Sequence, residues 1–200
     1  MRTDKQRALL DGALRVFARD GYARASIDVL AAEAGVSSRT IYNHYGDKAG
    51  LFRAVILDSS DRVAERQTAI ADALLGRIVD LEADLVEFGL RWAKRDPDTE
   101  PHWALVRQVQ ADLDHIDPET VAAWKDRGPG RVRRALAGHL RRLAAEGLLE
   151  LPDPSLAAVH LVQLTAGSVA ADPDADPDAV IRSGVGVFLR AYRAGATSRS

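Results

Sequence analysis

Gly35 to Lys48 reads G-V-S-S-R-T-I-Y-N-H-Y-G-D-K, and the rest of the chain is organised around it. Gly35 is free to take the left-handed conformation that ends a helix, and the Ser37 hydroxyl is suited to cap the next one by accepting a backbone N–H. The pattern predicts a helix, a tight turn and a second helix. That second helix is short, from about Ser38 to Tyr45, and closes at Gly46 before Asp47 offers a fresh N-cap. Within it Ile41 and Tyr45 share one face at i, i+4, while Ser38, Arg39, Thr40, Tyr42, Asn43 and His44 cover the rest. No carboxylate is among them. Hydroxyls, an amide, an imidazole and a guanidinium suit a surface of phosphate oxygens and base edges, so the helix reads as a DNA recognition helix. Lys48 extends the set, because it opens the following helix, where free backbone N–H groups already favour phosphate.

Upstream, Leu10, Ala13, Leu14 and Phe17 fall on one helical face at i, i+3, i+4, i+7, which predicts a first helix from about Asp4 to Arg19. Gly21 breaks it. Ser26 caps a second helix in which Ile27, Leu30, Ala31 and Ala34 repeat the spacing, and with Ile41 and Tyr45 these faces make a three-helix core. About 45 residues are marginal alone, so the next helix is expected to pack beneath them.

Downstream, helices are expected at Lys48–Leu75, 78–95, 100–116, 118–127, 131–146, 155–171 and 178–194. Gly128-Pro129-Gly130 is read as a break. No segment alternates apolar and polar residues over a strand's length, so the class is all-α. On the last helix Ile181, Gly184, Val185, Phe188 and Tyr192 form an apolar stripe. It predicts either a dimer interface or an intrachain hairpin, and periodicity does not separate the two.

Two hundred residues with 46% apolar side chains are ample for a buried core. The absence of cysteine excludes disulfides and thiolate metal sites. No apolar run is read as a membrane span, and the N-terminus lacks the apolar core of a secretory signal; both favour a cytoplasmic address. The net charge of −2 hides an asymmetry. Up to Val55 nine basic residues face six acidic ones, a net of +3, while the remainder carries 18 basic and 23 acidic residues, a net of −5. A positive head on a negative body suits a polyanion binder with a separate second function.

The stretch from Phe17-Ala18 and Gly21-Tyr22 through A-A-E-A-G-V-S to T-I-Y-N-H-Y-G-D-K-A-G-L-F resembles the N-terminal domain of tetracycline-repressor-like (TetR-like) transcriptional regulators, over about residues 8–56. A looser likeness to their ligand-binding half runs from A-W-K-D-R-G-P-G-R-V to G-L-L-E-L-P-D-P-S-L-A-A. The resemblance implies a helix-turn-helix domain over 1–55 and a helical ligand-binding and dimerisation domain over 56–200. It implies a homodimer that binds double-stranded DNA at a palindromic operator and is released by a small-molecule effector. Carried over by motif position, Thr40, Tyr42 and His44 face DNA, Lys48 holds a phosphate, and Ser26 contacts the DNA backbone from helix two. Arg39 departs from the small residue common at its place, so an operator sequence does not carry over. Ser37, Ser38 and Asn43 complete the candidate DNA-facing set.

In the body, Trp103, Gln110 and His160 are the candidate effector-binding residues, since a polar tip in an apolar helix needs a buried partner. The arginines at 131, 133, 134, 141 and 142 read as a solvated helix face, with a second nucleic-acid surface as the other reading. Catalysis finds no footing: there is no His-Glu-x-x-His, no phosphate-cradling glycine loop and no G-x-S-x-G turn, and no cofactor or metal is expected. The rival class is an all-helical small-molecule-binding protein or enzyme without a DNA-binding role.

Overall fold

The computed structural model describes residues 2–94, 96–111, 113 and 116–195, the side chains of 2 and 3 excepted. Its helices are α1 Arg2–Arg24, α2 Ile27–Ala34, α3 Ser38–Tyr45, α4 Lys48–Leu75, α5 Leu81–Ala93, α6 Glu100–Ala111, α7 Pro118–Lys125, α8 Arg131–Ala145, α9 Pro154–Val162, α10 Ser168–Ala171 and α11 Pro177–Tyr192. The fold is all-α. Among the described residues the nearest approach to a sheet is a single antiparallel bridge between Leu149 and Arg193, where the connector before α9 meets the end of α11.

The chain forms two compact units, Met1–Ala64 with Arg95–Pro129, and Glu65–Lys94 with Gly130–Ser200. These compact units are cut differently from the domains expected over 1–55 and 56–200, and the reason lies in α1. Besides Leu10, Leu14 and Phe17, α1 buries Leu9 and Val16, and the same core takes in Leu105 and Val109 of α6 together with Ile116 and Trp124. Apolar on two sides, α1 packs both on the head helices and on α6. An Arg53 guanidinium 3.8 Å from the Asp117 carboxylate adds an ion pair between α4 and the cap of α7.

Three helix boundaries differ from the sequence expectation for identifiable reasons. α1 continues past Arg19 to Arg24 through a kink at Gly21 (φ 76°, ψ 169°), a backbone conformation that side-chain-bearing residues avoid. Residues 126–130 do not break the chain; they form one wide π turn that leads into α8. Residues 163–167 make a second π turn between α9 and α10, with the Thr165 hydroxyl donating to the Leu161 carbonyl at 2.6 Å.

In the second unit the stripe on α11 faces inward. Ile181, Val185 and Phe188 have no exposed surface, and Gly184 is buried. A Cβ on Gly184 would lie 1.9 Å from the Leu164 carbonyl oxygen, so α11 lies directly against the π turn. Tyr192 is half-buried, its hydroxyl 2.6 Å from His160 Nδ1. Ile181, Gly184, Val185 and Phe188, four of the five dimer-interface candidates, thus pack within their own unit. The exposed large apolar residues among the described residues of α9 and α11 are Leu156, Val159 and Val187.

One amendment concerns membranes. Pro154–Ala171, with a mean hydropathy of 1.2 over 18 residues, is long and apolar enough by composition to span one. It carries no charged residue, but a π turn interrupts it, and Ala157, Ala158 and Leu161 are buried within the unit.

A candidate nucleic-acid interface on α3

Each end of the helix-turn-helix is held by its own residues. The Ser26 Oγ accepts from the Val29 N–H at 3.3 Å and starts α2. Gly35 ends it in the left-handed region (φ 64°, ψ 33°), donating to Ala32 O, while the Val36 N–H returns to Ala31 O. Ser37 then caps α3, its Oγ accepting from the Thr40 N–H at 3.1 Å and lying 2.9 Å from the Thr40 hydroxyl. Asp47 accepts from the Gly50 N–H at 2.7 Å and opens α4. A Cβ on Gly50 would stand 2.1 Å from the Tyr45 carbonyl, which shows how tightly the α3–α4 turn is closed.

The inward face of α3 is fixed as firmly. Ile41 is completely buried and Tyr45 partly so, burial raising the Tyr45 phenol above its ordinary pKa. Ser38 donates to the Asp28 carboxylate at 2.8 Å, bracing α3 on α2. Beneath, Phe52 meets the edges of Phe17 and Tyr22 at ring separations of 5.1 and 4.9 Å.

What remains is the outer face. Arg39, Tyr42, Asn43 and His44 are exposed and their side chains make no hydrogen bond to any other described residue, and Tyr42 is 52% exposed. The nine DNA-facing candidates therefore divide in two. These four present unspent donors and acceptors, whereas Ser26, Ser37, Ser38 and Thr40 spend theirs on caps and on Asp28. Lys48 also belongs to the second group. Its Nζ donates to the carbonyls of Tyr22 (3.0 Å), Ala23 (3.3 Å) and Ala25 (3.1 Å) and lies 4.7 Å above the Tyr22 ring. An ammonium has three protons, so in this structure none is left for a phosphate. The lysine answers the orphan carbonyls at the end of α1 and ties them to the start of α4.

Two residues the sequence reading missed, Asp28 and Tyr22, position the interface. Their spacings to Ser38 and Lys48 follow no helical period, so nothing in the pattern pointed to them. The effector candidates fare differently. Trp103 and Gln110 lie on the exposed side of α6, because His102, Leu105 and Val109 supply its inward face, and His160 belongs to the other unit. His102 itself is buried and neutral, burial lowering its pKa to about 4, and its Nδ1 lies 3.1 Å from Ser59 Oγ.

Capped helices, a buried pivot and an exposed polar face define a DNA-binding helix-turn-helix regulator. Comparison with known proteins agrees. Residues 9–55 match the family of bacterial regulatory proteins named for tetR, and residues 85–194, more than half of the chain, match the C-terminal domain of AefR-like transcriptional repressors. The chain belongs to the TetR family of transcriptional regulators, and is a regulator rather than an enzyme. It is 28% identical over 171 residues to the transcriptional repressor AcnR of Corynebacterium efficiens, covering 75% of this chain and 89% of that one. To the repressor Rv1474c of Mycobacterium tuberculosis it is 32% identical over 108 residues, 50% of this chain and 57% of that one. A TetR-family regulator from Mesorhizobium loti has the same fold at a TM-score of 0.81, with 25% identity over 96% of this chain and 98% of the other.

Proposed function

We propose that the protein is a dimeric repressor that reads a palindromic operator through α3 and releases it when a small molecule binds the helical body. The observation that carries the DNA-reading part is the division of labour on α3: every capping and inward group is spent, and Arg39, Tyr42, Asn43 and His44 are not. Arg39, in the first turn of the helix, is the base-reading candidate, since a guanidinium donates two hydrogen bonds to guanine O6 and N7. Tyr42 and His44 lie further along, as phosphate or base-edge partners. Repressors of this family act on DNA with small-molecule effectors, typically as dimers, which also fits a cytoplasmic protein.

A single short helix reads only a few base pairs, so two heads about 34–36 Å apart are needed for a specific site. The exposed Leu156 and Val159 on α9 and Val187 on α11 supply an apolar surface for the second copy. Selection of bound sequences from random DNA is the test, with a palindrome as the expected result. Arg39→Ala should then relax preference at one symmetric pair of positions by about 1–3 kcal/mol. Recovery of no sequence preference would overturn the reading.

A further inference from the structure

The recognition helix is only eight residues long and is held at three points. Ile41, completely buried, is the pivot in the middle. Ser38, the first residue of α3, donates to the Asp28 carboxylate of α2 at 2.8 Å. At the far end burial raises the Tyr45 phenol, and a hydrogen bond from the Gln6 amide of α1 offsets part of the rise. Ser38, Ile41 and Tyr45 share one stripe at i, i+3, i+7. The inward side of α3 is therefore tied to α2 at one end and to α1 at the other, all within the first unit.

An apolar pivot resists separation more than rotation, because burial is non-directional. A hydrogen bond has a preferred line and weakens steeply away from it, so the Ser38–Asp28 bond is the contact that fixes the roll of the first turn. The Ser37 cap does not do this, since it bonds within α3, to Thr40. Arg39 follows Ser38 directly; exposed and without a side-chain hydrogen bond among the described residues, it points where that turn points. Asp28 also lies in the first turn of α2, where any negative charge favours the helix dipole. The two services differ in what they require. The dipole requires a charge, whereas Ser38 requires an acceptor oxygen in one place.

We infer that Asp28 is a positioning residue for operator selectivity: through Ser38 it fixes the roll of the first turn of α3 and so aims Arg39. This rests on the DNA-reading part of the function proposed above. Asp28 acts here without touching DNA, and the far end of α3, tied to α1, keeps its own hold.

The test repeats the selection from random DNA with the full-length protein and its Asp28→Ala, Asp28→Asn and Ser38→Ala variants. The Kd of each is then measured for the selected operator and for a random duplex at one salt concentration. Asp28→Ala and Ser38→Ala should each lower the preference for operator over random duplex about 3–10-fold, the range of one exposed hydrogen bond. The loss should fall on the symmetric pair of positions that Arg39→Ala relaxes, with the other positions staying sharp. Combining the two changes should do no more than either alone, because both remove the same bond. Asp28→Asn loses the charge but keeps an acceptor oxygen for Ser38, and should select the same sequence as the unaltered protein. An unchanged selection by Asp28→Ala, with no more than a lowered thermal midpoint, would leave Asp28 only its service to the α2 dipole and overturn the inference. So would Asp28→Asn blurring the site as Asp28→Ala does, additive losses in the double variant, or a blur at positions other than those of Arg39. Ser38→Ala leaves α2 intact and carries the test should circular dichroism show Asp28→Ala unfolded. The unaltered protein separates the two failures: no selected sequence there sinks the DNA reading and this inference with it, whereas a sharp palindrome indifferent to Asp28→Ala and Ser38→Ala sinks the inference alone.

Discussion

At the scale of single residues, two side chains do work that their types alone do not announce. Lys48 is committed to three carbonyls at the end of α1. Lys48→Met should therefore lower stability by about 1–2 kcal/mol, since charge-assisted bonds are strong but this side chain is only half-buried. Operator affinity should fall with it while the slope of log affinity against log salt stays unchanged. A slope flattened by about 0.9 per head would instead show that the ammonium leaves the carbonyls for a phosphate on DNA. His102 gives a prediction in pH. Its pKa is about 4 in the folded protein against 6.5 for an ordinary histidine, so below pH 6.5 the unfolded chain binds a proton that the folded one does not. The stability is fully present above pH 6.5 and declines towards pH 4 by about 1.4 kcal/mol per pH unit. His102→Gln should remove that component, and denaturation of both proteins across the window measures the difference.

At the scale of elements, what matters is how closely the helices approach. A Cβ on Gly12 would lie 2.8 Å from the Cα of Ala34, backbone rather than a flexible tip, so α1 and α2 touch at a point that admits no methyl group. Gly12→Ala should cost about 1–3 kcal/mol despite its better helix propensity, seen as a lowered urea midpoint. An unchanged midpoint would mean that the two helices separate freely. The π turns follow the same logic. Each widens a helix beside a close contact, at Gly128 against Ser60 and at Leu164 against Gly184, and neither contact is visible along the chain.

At the scale of the whole molecule, the sidedness of α9 and α11 decides where a second copy would fit. Paired Leu156→Asp and Val187→Asp changes should leave a folded monomer, because both side chains are exposed, and should sharply weaken operator binding. Phe188→Asp is the contrast. It buries a carboxylate in the core of its own unit and should unfold that unit. Sedimentation and circular dichroism distinguish the two outcomes. A Leu156/Val187 double variant that still sedimented as a dimer would place the interface on another surface.

The sequence by itself determined the class, the limits of α2, α3 and α4, the caps at Ser26 and Ser37, and the polar face of α3. All of these depend on residues within one or two helical turns, where spacing, a cap and a turn glycine act locally. Only the tertiary structure decided which apolar stripe of α11 is buried and that α6 and α7 join the head. It alone showed Lys48 on the α1 carbonyls and His102 beside Ser59. Periodicity says that a face is apolar but not what covers it, and a lysine's charge does not say which acceptor it reaches. Those outcomes depend on groups tens of residues apart, whose meeting is fixed by packing rather than by any local pattern.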